Sequence, residues 1–404
     1  VSFALMGRMW APGGSLDLAC RELGVNYGVP EGKSGHLVTL FGKTFVDRQM
    51  KDDMALNVSA SKAKALRKAA LAAPDRFRSH VLPELHRFLA PWQATDFQKM
   101  PLEALKDCLE LFTEKLTKDT YVEAEKVNIL AGFTMAEATA FAAQHPNQQD
   151  RLRHAELAHS PTGLMRSCAR FEGTARQEAA LDLMGHRAMF DYELSHPRYA
   201  ETPELLWPML KTLKETPPSA LMKPKVDDAI SLALELQDLK EQAKHEALWL
   251  VFLIRRVLQA IALQTSLDGL VFHLSLSEIA EVGSETAAEY RALAQERHAR
   301  AAILKDLGPK AVELTLHDCE KLSAADLQTV ALGTGEMGGN CVSGSTAVTG
   351  PVFVVDEAAD TVEAAFAGFT PGDVILCHMV NPEWLPQIQQ SAAVLSEVGG
   401  WLSH

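Results

Sequence analysis

The sequence lacks the features that mark several large classes of protein. Its six cysteines are scattered and never stand in Cys-x-x-Cys spacing, so zinc and dithiol redox motifs have no support. The longest apolar stretches, such as 247–254, are far shorter than the roughly 20 residues that cross a bilayer. No G-x-x-x-x-G-K-[ST] loop occurs, so these residues contain no Walker-type nucleotide site.

Positive charge is also in deficit. There are 39 Lys and Arg against 52 Asp and Glu, and the net charge is −13. A nucleic-acid-binding protein needs a basic stripe, so we expect neither a nucleic-acid nor a membrane partner. Unpaired, scattered cysteines indicate reduced thiols, and we therefore expect a cytoplasmic protein.

The last six residues form a short motif that follows a strand-like segment: Gly399, Gly400, Trp401, Leu402, Ser403 and His404. Glycines let the backbone pass close to a ligand. A neutral imidazole is a nucleophile near pH 7, and histidine forms covalent intermediates. Ser403 could orient that imidazole or bond a phosphoryl oxygen. Taken alone, however, such a motif is more typical of a surface turn with an idle histidine.

The residues that lead to His404 favour the chemical interpretation. Ordered blocks are found at 343–355, at Gly372–Leu376, at Asn381–Pro386 and at Glu397. Together with the terminal motif they resemble the phosphohistidine swivelling domain of the phosphoenolpyruvate-utilising enzymes. The resemblance implies that His404 carries a phosphoryl group between two distant sites. In that family a helix follows the histidine, and its N-terminus favours an anion, so we expect this chain to be a piece of a longer polypeptide.

From Ser59 to about Leu304 the composition is that of helices, rich in Ala, Leu, Glu, Lys and Gln. Val226–Thr265 contains neither Pro nor Gly and predicts one helix of about 60 Å. Residues 272–279 predict a short extended piece that leads into a later helix, with Ser277 as its predicted cap. In Met100–Leu116 the spacing of apolar residues predicts a core-facing stripe made of Leu102, Leu105, Cys108, Leu109, Leu111, Phe112 and Leu116.

Two shorter patterns complete the organisation of the chain. β-Branched and apolar runs at 36–40 and 44–47 flank Phe41-Gly42-Lys43, which predicts a β-hairpin. Gly333–Gly338 fits G-x-G-x-x-G, but a β-branched run follows it where a dinucleotide site needs a helix. This stretch is better interpreted as the linker that a moving carrier domain requires.

A second polar cluster begins with Gly185, His186 and Arg187. It continues with Asp191, Glu193, Pro197, Arg198 and Tyr199. Arginine offers a planar fork to phosphate, and a carboxylate can accept a proton. Without other information, a salt-bridged helix end would be the simpler interpretation.

This second cluster resembles the Gly-His-Arg…Glu…Asp…Pro-Arg-Trp segment of rifampin-phosphotransferase-like enzymes, with Tyr199 in place of the Trp. Blocks at 240–245, 255–256 and 271–279 are similar to the same family. The resemblance implies catalytic roles for His404, Arg187, Asp191 and Glu193. It implies substrate contacts from Ser403, Gly400, Gly399, His186, Arg198 and Lys244. No residues are predicted to bind a metal.

The predicted fold is multidomain. Residues 1–328 form a large, mainly α-helical acceptor-binding domain, mixed over 1–50 where the hairpin lies. Residues 329–404 form an α/β swivelling domain that is incomplete at its C-terminus, and the boundary is expected at 325–335.

The resemblance implies a dikinase-type phosphotransferase. An ATP-grasp domain, upstream or on a partner subunit, would bind ATP and Mg²⁺ and phosphorylate His404. The acceptor would be a hydroxyl on a small apolar or aromatic molecule. Two alternatives stay open: a ligase or condensing enzyme that uses the same relay to activate a carboxylate or enol, and a non-enzymatic helical binding or scaffold protein.

Overall fold

The structure is a computed structural model that describes residues 2–27, 37–40, 43–46, 59–145, 164–207, 210, 228–307, 348–356, 359, 361–380 and 384–398. Its helices, in chain order, are α1 (Ser2–Trp10), α2 (Ser15–Leu23), α3 (Ala60–Arg76), α4 (Leu82–Gln93), α5 (Leu102–Lys115), α6 (Tyr121–Gln144), α7 (Gly173–Met184), α8 (Asp228–Thr265), α9 (Leu276–Glu281), α10 (Ala287–Leu307), α11 (Val362–Ala365) and α12 (Leu385–Ile388).

Helix α8 is the centre of the helical part. It has 38 residues, and at about 1.5 Å per residue it is about 57 Å long, which confirms the predicted single helix. Helices α4, α5 and α6 pack along it. Toward its start, Leu236 and Leu239 are buried against α3 and α6, and toward its end Ile254 and Ile261 are buried against α4 and α5. One helix therefore supplies a stripe to two hydrophobic cores.

Two pairs of helices are joined without a loop. A π-helical turn at Phe77–Val81 connects α3 to α4, and another at Leu116–Thr120 connects α5 to α6. Such wide turns occur inside α-helices where one extra residue is accommodated. The two turns border a cavity of about 360 Å³, whose lining is mostly charged: Arg76, His80, Val81, Glu84, Leu85, Lys115, Asp119, Thr120 and Glu123.

The strands form two separate sheets. β1 (Leu37–Leu40) and β2 (Lys43–Val46) pair antiparallel, with Leu37 opposite Val46, as predicted for a hairpin. Near the C-terminus, β3 (Val352–Val354), β4 (Val374–Met379) and β5 (Ala393–Val398) form a parallel sheet in that order. We call residues 348–398, as far as they are described, the sheet unit. The predicted domain boundary at 325–335 lies outside the described residues, as does the Gly333–Gly338 stretch.

Two local predictions are wrong. The cap of α9 is Ser275 rather than Ser277: the Ser275 hydroxyl accepts from the Glu278 N–H at 3.2 Å, and the Glu278 carboxylate accepts from the Ser275 N–H at 2.7 Å. This is the capping box that Ser-x-x-Glu spacing predicts. The segment before it is a 3₁₀ turn, Asp268–His273, and only Leu274 and Ser275 are extended.

The stripe of α5 is narrower than the apolar residues of the sequence suggest. Leu105, Leu109 and Phe112 are buried, but Leu111 is 42% exposed. Positions 109 and 111 are separated by about 200° around a helix, so they cannot share one face. Of the helices in the described part of the chain, none is both long and apolar enough to cross a membrane.

The two leucines allow a matched test of the core. Leu109→Ala should lower the free energy of unfolding by about 2–5 kcal/mol, because it removes a buried side chain and leaves a cavity. Leu111→Ala removes the same atoms from an exposed position and should cost less than about 1 kcal/mol. Urea unfolding followed by circular dichroism measures both, and equal losses would show that α5 packs in another register.

Candidate functional site

The loop after α7 holds most of the second predicted cluster. It closes on itself, because the N–H of Ala200 donates to the Gly185 carbonyl at 2.8 Å. Gly185 is required there, since a Cβ would lie 2.5 Å from the Leu181 carbonyl oxygen. We call residues 185–200 the closed loop.

Three charged side chains meet between the closed loop and α8. The Arg187 guanidinium donates to both Asp191 oxygens, from Nε at 3.1 Å and from Nη2 at 2.6 Å. The Lys244 ammonium lies 2.9 Å from Asp191 Oδ2. The side chains of Arg187 and Asp191 are 5% and 9% exposed, whereas that of Lys244 is 27% exposed. We call these residues the charge cluster, and the structure thus brings three of the predicted site residues together.

The charge cluster sets the ionisation of Asp191. Burial alone would raise the pKa of Asp191, but Arg187 and Lys244 outweigh burial and hold that pKa far below its usual range. Asp191 is therefore an anion at neutral pH. A carboxylate with so low a pKa is a weak proton acceptor. The contacts of Asp191 suit it instead to hold the two cations in place.

His186 lies beneath the charge cluster, in contact with α8. It is 1% exposed, its Nε2 donates to the His245 carbonyl oxygen at 2.9 Å, and its ring stacks on Trp249 with centroids 4.1 Å apart. Burial lowers the pKa of His186 well below its usual value, and it lowers the pKa of His245 to about 4. Both rings are therefore neutral at pH 7, and His186 anchors the closed loop to α8.

Arg198 braces the backbone of the closed loop. It is fully buried, and its guanidinium donates to the carbonyl oxygens of Asp191 at 2.8 Å and Glu193 at 3.4 Å. On α8, Arg255 is bound to the Glu201 carboxylate at 2.8 Å. Burial first, and then the charge of Arg255, lower the pKa of Arg198 to about 10, so the guanidinium remains charged at neutral pH. Two of its nitrogens hold the loop in shape.

Glu193 belongs to a different network. Its carboxylate accepts from the hydroxyls of Ser2 and Ser195, each at 2.8 Å, and from the Ser195 N–H at 2.9 Å. Burial would raise the pKa of Glu193, but these hydrogen bonds outweigh burial and lower it. Within the described residues, no hydrogen bond or ion pair joins Glu193 to the charge cluster. It ties α1 to the closed loop.

Four buried side-chain atoms around the charge cluster have no hydrogen-bond partner within the described residues: His186 Nδ1, Arg187 Nη1, Glu241 Oε2 and His245 Nδ1. Buried polar groups are almost always paired, and each exception calls for a water, an ion or a ligand. Burial opposes ionisation of Arg187, but the charge of Asp191 and, after it, that of Glu241 raise the pKa of Arg187. These four atoms are free to hydrogen-bond a small polar ligand or a water.

The predicted carrier residues follow the sheet unit in the sequence. Gly399, Gly400, Ser403 and His404 are outside the described residues, but the strand-like segment predicted before them is β5. Ligands bind at the carboxyl ends of parallel strands in open α/β sheets, and the motif follows such an end. Met189 of the closed loop packs against the core of the sheet unit. The sheet unit thus contacts the closed loop.

The structure adds residues that the sequence did not single out. The Tyr192 hydroxyl lies 2.6 Å from the Tyr121 hydroxyl of α6, and Lys244 Nζ lies 5.8 Å from the Tyr192 ring centroid. One turn further along α6, Glu125 is buried, and burial raises its pKa to about 7. No sequence pattern marked Glu125, because charged residues of a helix are almost never fully buried unless paired.

The cavity at the two π-helical turns is a poor match for the acceptor site. Its lining includes ion pairs such as Arg76–Glu123 at 2.6 Å. The predicted acceptor is apolar or aromatic, and pockets for such molecules are mainly apolar. No group of three or more His, Cys, Asp or Glu side chains in the described part of the chain is placed to hold a metal ion.

Comparisons with known proteins give partial matches, and no family model matches the chain. A segment of 56 residues, 14% of this chain, is 39% identical to 6% of the uncharacterised phosphotransferase YvkC of Bacillus subtilis (strain 168). A longer stretch of 241 residues, 56% of this chain, is 27% identical to the uncharacterised proteins Mb2073c of Mycobacterium bovis and Rv2047c of Mycobacterium tuberculosis. This match covers 26% of each of those proteins. The chain thus matches about a quarter or less of the length of these relatives.

Breaking the charge cluster should destabilise the fold. Asp191→Asn leaves the buried Arg187 without its anion, and loss of one partner of a buried ion pair costs about 3–5 kcal/mol. Urea unfolding at pH 7 measures the change. Glu114→Gln, which breaks the exposed pair with Lys118, is the control and should leave the stability almost unchanged. Equal, small losses would contradict a buried cluster.

The buried His245 makes stability depend on pH. Its pKa of about 4 in the folded protein lies below the usual value of about 6.5, so the unfolded chain binds more protons between those values. The contribution of His245 to stability is therefore lost as pH falls from about 6.5 towards 4, by at most about 1.4 kcal/mol per pH unit.

Glu125 titrates in the opposite sense, so the measured quantity is the difference in unfolding free energy between the wild type and His245→Gln. This difference should shift against the wild type as pH is lowered from 7 to 5. The exposed His145 provides the control variant His145→Gln. A difference that stays constant with pH would show that His245 is already exposed to water.

Proposed function

We propose that this protein is an ATP-dependent phosphotransferase of the dikinase type. It passes a phosphoryl group through His404 to a hydroxyl of a small apolar or aromatic acceptor bound by the helical part. The observation that carries the proposal is the charge cluster, in which a buried Asp191 fixes an arginine and a lysine side by side. Preorganised cations of this kind stabilise phosphoryl transfer.

The two cations have the remaining capacity that a phosphoryl group needs. Arg187 uses Nε and Nη2 on Asp191, while its Nη1 has no partner among the described residues. Lys244 keeps more than a quarter of its side chain exposed at 27%. Arginine is suited to the planar recognition of phosphoryl oxygens and lysine acts as a point charge. In this proposal Asp191 positions both cations and does not accept the proton.

Two further observations support transfer from the sheet unit. The YvkC protein, to which a segment of this chain is similar, bears the name phosphotransferase. The contact of Met189 with the sheet-unit core joins the closed loop to the unit that precedes His404 in the sequence. A covalent phosphohistidine then lets a nucleotide site and an acceptor site stand apart.

ATP and Mg²⁺ are the proposed cofactors. Mg²⁺ is bound by carboxylates and substrate phosphates, and the described residues do not assemble a metal-binding group. In this proposal the nucleotide step belongs to an ATP-grasp domain, in the same polypeptide or on a partner subunit. Arg187 and Lys244 belong to the acceptor step.

The proposal is tested by phosphorylation of the full-length protein. The protein, with any ATP-grasp partner, is incubated with Mg²⁺ and ATP labelled at either the β or the γ phosphate. Acid-labile label from the β position is expected on the peptide that contains His404, and His404→Ala should abolish it. His145→Ala removes an exposed histidine elsewhere and should leave the label unchanged.

Absence of β label on the His404 peptide, with the partner present, would overturn the proposal and favour a non-enzymatic binding protein. Label that persists in His404→Ala would overturn the role of that histidine. Transfer of the label to a carboxylate rather than a hydroxyl would favour the ligase alternative.

A further inference from the structure

Two histidine side chains meet where α10 packs against the 3₁₀ turn Asp268–His273. His298 Nδ1 lies 3.1 Å from His273 Nε2, and the two rings are inclined at 72° with centroids 4.8 Å apart. His298 is exposed and His273 is partly buried, so water could satisfy either ring without the other. We call these two residues the histidine pair. Neither takes part in the phosphoryl transfer proposed above.

Packing fixes the two backbones that carry the histidine pair. Val271 of the 3₁₀ turn and Ala294 of α10 belong to one hydrophobic core, and both are 0% exposed. His298 lies four residues after Ala294, so it stands on the same face of α10, one turn further along. The two rings therefore meet because the elements beneath them are packed together.

The arginine next to His298 holds the turn in place. Arg297 donates to the His273 carbonyl oxygen at 3.1 Å. The same guanidinium binds both oxygens of the Glu278 carboxylate, at 2.6 Å and 2.7 Å. Glu278 also belongs to the capping box of α9, so it balances the charge of Arg297 from a fixed position. The histidine pair thus has the rigid support that a ligand site needs.

The two ring nitrogens are spaced as two ligands of one metal ion would be. Imidazole nitrogens lie about 2.0–2.1 Å from zinc, and at that bond length a separation of 3.1 Å gives an angle of about 100° at the ion. This angle lies between those of square-planar and tetrahedral coordination, the geometries in which proteins hold Cu²⁺ or Ni²⁺ and Zn²⁺.

The rings are also inclined as two such ligands would be. The centre of an imidazole ring lies about 1.2 Å behind each nitrogen, so two rings aimed at one ion would have centroids about 4.9 Å apart. Rings that point straight at each other across the hydrogen bond would have centroids about 5.5 Å apart. The observed separation is 4.8 Å, which matches two rings that converge on one point beside them.

We infer that the histidine pair binds a divalent transition-metal ion, of the class of Zn²⁺, Ni²⁺ and Cu²⁺, through His273 Nε2 and His298 Nδ1. Imidazole is a ligand for these ions, whereas Mg²⁺ prefers oxygen. Each ring keeps its proton on the other nitrogen and stays neutral. The pair supplies two ligands and water completes the coordination, in keeping with the lack of a larger ligand group in the described part of the chain.

A second close pair of rings does not offer this arrangement. His186 and His245 have centroids 4.6 Å apart, but His186 Nε2 already binds the backbone carbonyl oxygen of His245. Both of these residues are buried. A hydrated ion needs a path to its ligands, and the exposed His298 provides one.

The inference is tested by calorimetric titration of the full-length protein with Ni²⁺. The buffer is at about pH 7.5, where imidazoles are neutral, and contains excess Mg²⁺ to fill sites built from oxygen ligands. His298→Ala removes an exposed side chain and should weaken one binding event at least about tenfold, because the second ligand is lost. His145→Ala removes an exposed histidine elsewhere and should leave the affinity unchanged.

A double variant shows whether the two rings hold one ion. His273→Ala should weaken the same binding event as His298→Ala, and the two substitutions together should weaken it little further, since one loss already breaks the chelate. Electron paramagnetic resonance with one equivalent of Cu²⁺ counts the nitrogens directly. The wild type should show splitting from two nitrogen ligands, and His298→Ala from one fewer.

Binding should also stabilise the fold, because the ion joins α10 to the 3₁₀ turn in the folded state alone. Saturating Ni²⁺ should raise the urea midpoint of the wild type more than that of His298→Ala.

Three results would overturn the metal site. They are equal Ni²⁺ affinity in the wild type and His298→Ala, loss of the binding event in excess Mg²⁺, and a Cu²⁺ spectrum that is the same in the wild type and His298→Ala. Independent, additive losses in the double variant would show that the rings bind separate ions and would overturn the chelate. The labelling of His404 is unaffected by any of these results.

Discussion

The bond between Asp191 and its two cations is the interaction on which the candidate site depends. Burying the charges of Arg187 and Asp191 costs several kcal/mol for each ion, and only close, well-aligned partners offset that cost. Arg187 meets Asp191 through two hydrogen bonds, and Lys244 adds a third contact from α8. The closed loop is therefore tied to α8 by charge as well as by the stack of His186 on Trp249.

The pKa values of ionisable groups in this region are shifted in opposite directions. Two adjacent cations lower the pKa of Asp191, whereas burial with little compensation raises that of Glu125. Burial also keeps His186 and His245 neutral. One region thus keeps two carboxylates in different states of ionisation. The difference arises from the neighbours of each group, since both are acidic side chains with similar pKa values in water.

Sequence patterns were sufficient where structure is local. The absence of Pro and Gly predicted α8, and alternating runs around a short turn predicted the hairpin β1–β2. The sequence shows residues 185–198 as a dense run of charged residues. Arg187 and Asp191 of this run do meet, and Lys244 of α8 joins them. The contacts of Glu193 could not be predicted from the sequence, because its carboxylate binds the hydroxyl of Ser2, which is 191 residues away in the chain.

Burial was the other quantity that patterns could not supply. Leu109 and Leu111 lie on different faces of one helix, and the packing of α5 against α8 decides which of them is buried. Glu125 was overlooked for the same reason, since a glutamate in a helix is normally on the surface. Its environment comes from α2, α6, α8 and the closed loop, which are distant in sequence. Residues 399–404 lie outside the described part, and their roles rest on the sequence.

Helix α8 carries Lys244, His245, Trp249 and Arg255 within about three turns. Together they contact Asp191 and His186 of the closed loop and Glu201 in the segment that follows it. Each of these contacts depends on the angular position of the residue around the helix axis. Inserting or deleting a single residue between 244 and 255 would rotate the residues beyond it by about 100°. Related proteins that keep this site should therefore vary in the length of their loops while this stretch of α8 stays constant in length.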